Sequence, residues 1–185
     1  MHARGGLLTE YMGEEWFANV EAAIEAAKEF GMSAWAYDEN GWPSGFGDGA
    51  VNGLGIEYQQ KYLRMEDTFS HTETAICKSG EHYFYYDVNP FYVDTLDDKV
   101  IRKFIETSYV PYFEKYGNRI EGFFTDEPQI SRNGIPWSFV FEEEYKARYG
   151  ENILEHFIIY KWISQHFQYM IWTKRETLVL SNHKR

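Results

Sequence analysis

The sequence predicts an α/β fold built on a parallel sheet, with a β-hairpin inserted between its repeats. Two observations carry this. Twice, an amphipathic helix runs into a glycine and then into a short apolar strand, which is one αβ step of a parallel sheet. Between the two steps lie a glycine-rich loop and a pair of strand-like runs around Ser79-Gly80.

The first helix is expected over Glu14 to Phe30. Trp16, Phe17, Val20, Ile24 and Ala27 recur at helical spacing, and Gly31 is a natural stop. Met32 to Tyr37 follows as a buried strand, ended by the turn-forming Asp38-Glu39-Asn40-Gly41. Trp42 to Gly55 reads as a loop, and long glycine-rich loops inside compact domains usually carry function. Thr72 to Lys78 and His82 to Val88 read as the hairpin.

Asp97 to Tyr116 is the second helix. Val100, Ile101, Phe104, Ile105, Tyr109, Tyr112, Phe113 and Tyr116 line one broad face. Thr95 with Asp98 supplies a capping box, Pro111 a kink and Gly117 a stop. Ile120 to Thr125 is the next buried strand, and Phe141 to Tyr149 a third helix closed by Gly150.

The chain has 185 residues, about one domain, and 44% of them are hydrophobic, enough for a core. The net charge of −11 argues against nucleic-acid and anionic-membrane partners, which need a basic face. Aromatics reach 19%, which suits an aromatic core or the stacking of rings on sugars. A single cysteine, Cys77, leaves no internal disulfide and no thiolate zinc site. No apolar signal-peptide core follows Met1, which favours the cytoplasm.

Residues 157–185 differ in kind. Five Lys or Arg face one acid, Glu176, so the segment carries +4 and residues 1–156 carry −15. Phe157, Ile158, Trp162, Ile163, Phe167, Met170 and Ile171 make an apolar stripe at helical spacing. The apolar run is short for a membrane span and holds Lys161, Gln165, His166 and Gln168, so it is not read as one.

The chemistry lies at the strand ends. Ala34 to Tyr37 runs into Asp38-Glu39, and Gly122 to Thr125 runs into Asp126-Glu127. In (β/α) barrels catalytic groups gather at the C-terminal ends of strands, so two such ends aim two acidic clusters at one cavity. Glycosidic cleavage needs such a pair. The same oxygens suit a hard cation such as Ca²⁺, and acids also occur at strand ends and helix N-caps with no chemistry attached.

Three segments resemble a known family. Tyr37-Asp38-Glu39-Asn40-Gly41-Trp42-Pro43-Ser44-Gly45 is similar to a motif of the α-L-rhamnosidase-type glycoside hydrolases, family 106, and their relatives. Phe124-Thr125-Asp126-Glu127-Pro128 resembles a second motif. His2-Ala3-Arg4-Gly5-Gly6-Leu7, with Tyr11 and Trp16, resembles a third that follows an early barrel strand. Order and spacing hold over about residues 1–155.

The resemblance implies a (β/α)8 TIM-type barrel, inverting hydrolysis and a Ca²⁺ ion near the sugar, with no organic cofactor. It gives Glu39 and Glu127 the acid, base or metal-binding roles. His2, Arg4, Tyr37 and Trp42 become candidate sugar contacts. Asp38 and Asp126 join the sugar site as groups behind the glutamates or as N-caps.

Family members are several times longer, and a full barrel needs roughly 250 residues. The expectation is therefore a partial barrel over 1–156 with an atypical helical tail over 157–185, as from a truncated or frameshifted reading frame. Such a piece is expected to hydrolyse glycosides weakly or not at all. Its open sheet edges favour a homodimer. The alternatives are an inactive carbohydrate-binding remnant and an oligomerising half-barrel scaffold.

Overall fold

The computed structural model describes residues 1–70, 72–130 and 134–157. The apolar stripe expected beyond Phe157 lies outside the described residues. The described chain is mixed α/β, with four helices, two sheets and no closed barrel. It divides into two compact units, residues 1–61 with 88–130, and 62–87 with 134–157. The sequence reading placed both in one body.

In the first unit, helix α1 spans Glu14–Glu29. Its five expected core residues are all buried. Gly31, at φ +66°, reverses the chain, a conformation open to glycine at no steric cost. The Gly31 N–H donates to the Lys28 carbonyl at 3.2 Å and the Met32 N–H to the Ala27 carbonyl at 2.8 Å. This double bond pattern closes a helix C-terminus and leads into the strand.

Strand β1 (Trp35–Tyr37) pairs in parallel with β5 (Gly122–Phe124), Trp35 opposite Gly122 and Tyr37 opposite Phe124. The residues before α1 run along the other edge of β1. The Tyr37 N–H donates to the Met1 carbonyl at 3.0 Å, and Ala3 forms a parallel bridge with Asn40. Successive strand residues face opposite ways. Ala36, wholly buried, packs with α1 and with α3 (Val110–Tyr116), while Trp35 on the opposite face is half exposed. Three rings of the aromatic core have their polar tips bonded. Trp16 Nε1 donates to the Tyr112 hydroxyl at 2.8 Å, and the Tyr116 hydroxyl donates to the Phe17 carbonyl at 2.6 Å.

The second predicted helix is two. Helix α2 covers Asp98–Ser108, and α3 begins at Val110, with Pro111 in its first turn. Proline lacks the N–H that a continuing helix would bond. The broad face expected there is narrower: Val100, Phe104, Tyr112 and Tyr116 are buried, whereas Ile105 and Phe113 are exposed.

The capping box is also corrected. Asp97 is the N-cap, its carboxylate accepting the Lys99 N–H at 2.8 Å, and the Thr95 hydroxyl donates instead to the Gln129 carbonyl. Asp97→Ala is expected to lower stability by about 1 kcal/mol and to speed amide exchange at Lys99. Thr95→Ala should leave that amide protected. Exchange measured by NMR on both variants checks the assignment.

The expected hairpin forms from β3 (Ala75–Ser79) and β4 (His82–Val93), with Ser79 opposite His82. It is not a free-standing excursion. It belongs to a four-stranded sheet in the order β3-β4-β2-β6, with β2 spanning Gln59–Glu66 and β6 Ile135–Trp137. Neither β2 nor β6 was read from the sequence. In the second unit Leu63, Phe84, Trp137, Ile153 and Phe157 form the core. Helix α4 is Phe141–Tyr149, capped by left-handed Gly150 as expected.

Candidate active site

The parallel pair β1 and β5 brings both acidic motifs to one end of one sheet. The ladder continues past the strands, the Asp38 N–H donating to the Phe124 carbonyl at 3.4 Å. Beyond it the two motif loops are tied through Ser44. The Ser44 N–H donates to the Asp126 carbonyl at 3.0 Å, and the Asp126 N–H donates to Ser44 Oγ at 2.8 Å. Ser44 Oγ in turn donates to Asp38 Oδ1.

Asp38 is the hub of this closure. It is 1% exposed, and its second oxygen accepts from the Tyr109 and Thr125 hydroxyls, the latter at 2.9 Å. Burying a carboxylate is costly unless hydrogen bonds replace its water shell, and three hydroxyls do so here. Burial pushes the Tyr109 phenol well above its ordinary pKa, and its bond to Asp38 pushes the same way. The sequence reading put Asp38 in the sugar site as a group behind the glutamates or an N-cap. The structure gives its oxygens to Ser44, Tyr109 and Thr125, so it braces the loops. Asp126, half buried, is held through its backbone by Ser44.

Glu39 differs. It is also 1% exposed, but only one carboxylate oxygen is used, Oε1, which pairs with His2 Nε2. Oε2 is buried with no hydrogen-bond partner among the described residues. Such an atom forfeits its hydration with nothing in return, and in a native structure it calls for an explanation.

His2 Nδ1 accepts from Arg4 Nε at 3.0 Å, and the His2 ring stacks on Tyr37 at 3.7 Å with the planes 8° apart. Tyr37 also meets Phe124, at 4.7 Å between ring centres. Thus His2, Arg4 and Tyr37, expected as sugar contacts, are engaged with one another and with Glu39. Trp42, 48% exposed, keeps much of its surface open.

Glu127 is exposed and follows β5 by three residues. Its φ of +48° is a left-handed conformation that costs a non-glycine residue about 1–3 kcal/mol. The flanks hold it there. Asp126 is bound to Ser44, and the Gln129 N–H donates to the Tyr92 hydroxyl at 2.8 Å while the Tyr92 hydroxyl donates to the Ser44 carbonyl. Strain held by surrounding structure is frequent where side chains must be aimed at a ligand.

The chain matches no family model, no curated protein and no solved structure.

The implied Ca²⁺ can be judged from the oxygens present. A calcium ion takes six to eight oxygen ligands. Asp38 is occupied by hydroxyls, Glu39 Oε1 by His2, and no group of three or more His, Cys, Asp or Glu among the described residues is placed to hold a metal. Glu39 Oε2 is one oxygen, so these residues do not fit the ion by themselves.

Ser44, Tyr92, Tyr109 and Thr125 were missed as builders of the site. Ser44 and Thr125 lie within the two motifs and were open to notice. Tyr92 and Tyr109 carry no local signal, since each reaches the site from a distant element.

Proposed function

We propose that the Glu39 and Glu127 strand ends form part of the sugar site of a glycoside hydrolase of the α-L-rhamnosidase type, family 106, within a partial (β/α)8 barrel. The observation that carries this reading is the convergence of two carboxylate motifs at the same end of adjacent parallel strands, one of them holding a buried, unpartnered oxygen. Inverting cleavage uses one carboxyl group to protonate the leaving oxygen and another to activate water, at a separation of roughly 6.5–9.5 Å. We assign these two roles to Glu39 and Glu127, with half-exposed Trp42 as the candidate stacking ring for a pyranose. The three motif resemblances are the reason for choosing a rhamnoside as the first sugar to test.

The test is binding first and turnover second. L-Rhamnose or an aryl α-L-rhamnoside at 100 times its Kd is expected to stabilise the protein by about 2.7 kcal/mol, read as a rise in Tm. Glu39→Gln should weaken that binding at least tenfold. Turnover of an aryl rhamnoside should be slow and should fall further in Glu127→Gln. A flat Tm up to tens of millimolar sugar would overturn the reading.

The half-exposed rings of Trp35 and Phe124, on the face of β1 and β5 opposite the α1 and α3 packing, favour a second reading. There the chain is an oligomerising scaffold, and light scattering at micromolar concentration would show a dimer with no response to sugar.

A further inference from the structure

We propose that Arg4 and His2 are positioning residues that commit one oxygen of Glu39 and present the other, Oε2, as the single atom at which Glu39 exchanges a proton or accepts a ligand O–H. The identity of that ligand as a sugar rests on the function proposed above. The arrangement of the three side chains does not.

A guanidinium nitrogen only donates, so the 3.0 Å contact from Arg4 Nε requires an unprotonated His2 Nδ1. An imidazole with a bare Nδ1 carries its one proton on Nε2 and is neutral. Nε2 therefore donates to Glu39 Oε1, the atom it faces. His2 then has no lone pair left with which to take a proton from Glu39. It orients the carboxylate and plays no part as acid or base.

The ring is fixed in this pose from two further directions. Tyr37 lies flat against it at 3.7 Å, and the Ala3–Asn40 bridge ties the strand carrying His2 to the residue after Glu39. With Oε1 spent, Glu39 keeps only Oε2, buried and unpartnered among the described residues. A hydroxyl or water entering the site donates to that atom, or receives from it the proton of a neutral Glu39.

The experiment is a long-range ¹H–¹⁵N correlation spectrum of the full chain labelled at histidine. His2 is assigned by its loss in His2→Gln. The expected spectrum shows His2 at pH 7 with Nε2 protonated and Nδ1 bare, and Arg4→Met allows Nδ1 to take up a proton. In sugar titrations, His2→Gln restores an N–H toward Glu39 and a carbonyl toward Arg4. It should hold L-rhamnose affinity within about threefold, while His2→Leu loses at least tenfold, since charge-assisted hydrogen bonds are the strong ones. A wild-type His2 protonated at Nδ1, or affinity unchanged in His2→Leu, would overturn the proposal. If the wild type shows the expected tautomer but binds no rhamnoside, the sugar reading fails and the positioning of Glu39 stands.

Discussion

Lys61→Met is expected to destabilise the protein by about 3–5 kcal/mol, the cost of leaving a buried charge without its partner. Lys61 has no exposed side chain and Asp94 has 2%. The ammonium donates to Asp94 Oδ2 at 3.1 Å and to the Gln59 carbonyl at 2.6 Å. Methionine fills the volume of the stem but leaves the Asp94 carboxyl group without its ammonium partner, with the Leu96 N–H still at its other oxygen. The double variant Lys61→Met/Asp94→Leu should recover most of the loss, because an apolar pair of similar volume carries no desolvation penalty. Urea unfolding of the single and double variants checks this. A double variant no more stable than Lys61→Met would show that backbone contacts of the ammonium, not the pair, hold this region.

Gly45→Ala is expected to cost about 2–5 kcal/mol through two effects that add, backbone strain and overpacking. Gly45 sits at φ +119°, a conformation that L side chains rarely adopt. An added Cβ would also lie 2.5 Å from the Tyr92 ring. Tyr92 cannot swing away cheaply, because its hydroxyl donates to the Ser44 carbonyl and accepts the Gln129 N–H. The loss should appear both in Tm and in sugar-dependent protection, since neighbouring Ser44 holds Asp126, the residue before Glu127. Adding Tyr92→Leu opens the space and should return the overpacking share but not the strain. If Gly45→Ala unfolds with wild-type Tm, the loop is not clamped in this way.

Much of the first unit was legible because its signals are local. The Trp16, Phe17, Val20, Ile24 and Ala27 spacing needs only a helix and one apolar neighbour. The strands before Asp38 and Asp126 are apolar runs cut off by acids, and both pair as parallel neighbours. Strand β2 was illegible for the opposite reason. Gln59-Gln60-Lys61 reads as solvent-facing, and its burial depends on distant partners such as Asp94, which pairs with Lys61, and the Gln129 carbonyl, which accepts from Gln60. The site divides along the same line. Glu39 was found from its motif, but its pairing with His2, the strain at Glu127 and the enclosure of Asp38 by hydroxyls all depend on residues brought together by the fold.

The Asp38 closure also has a history in time. Its donor Thr125 stands 87 positions further along the chain. During synthesis, Asp38 and the whole of α1 emerge long before Thr125, Tyr109 and β5 exist. Until then the carboxylate has only Ser44 of its three hydroxyl donors and β1 is open along the edge that β5 will take, so the early product is a helix beside a half-paired strand. Bringing ends so far apart together costs about 4 kcal/mol in loop entropy, and the α1 contacts with Tyr112 and Tyr116 that help repay it also close over long spans. The first unit is therefore expected to form late and in one step, when the residues of β5 arrive. A nascent chain halted before Phe124 should show Tyr37 and Asp38 open to protease, and one halted well beyond it should show them closed.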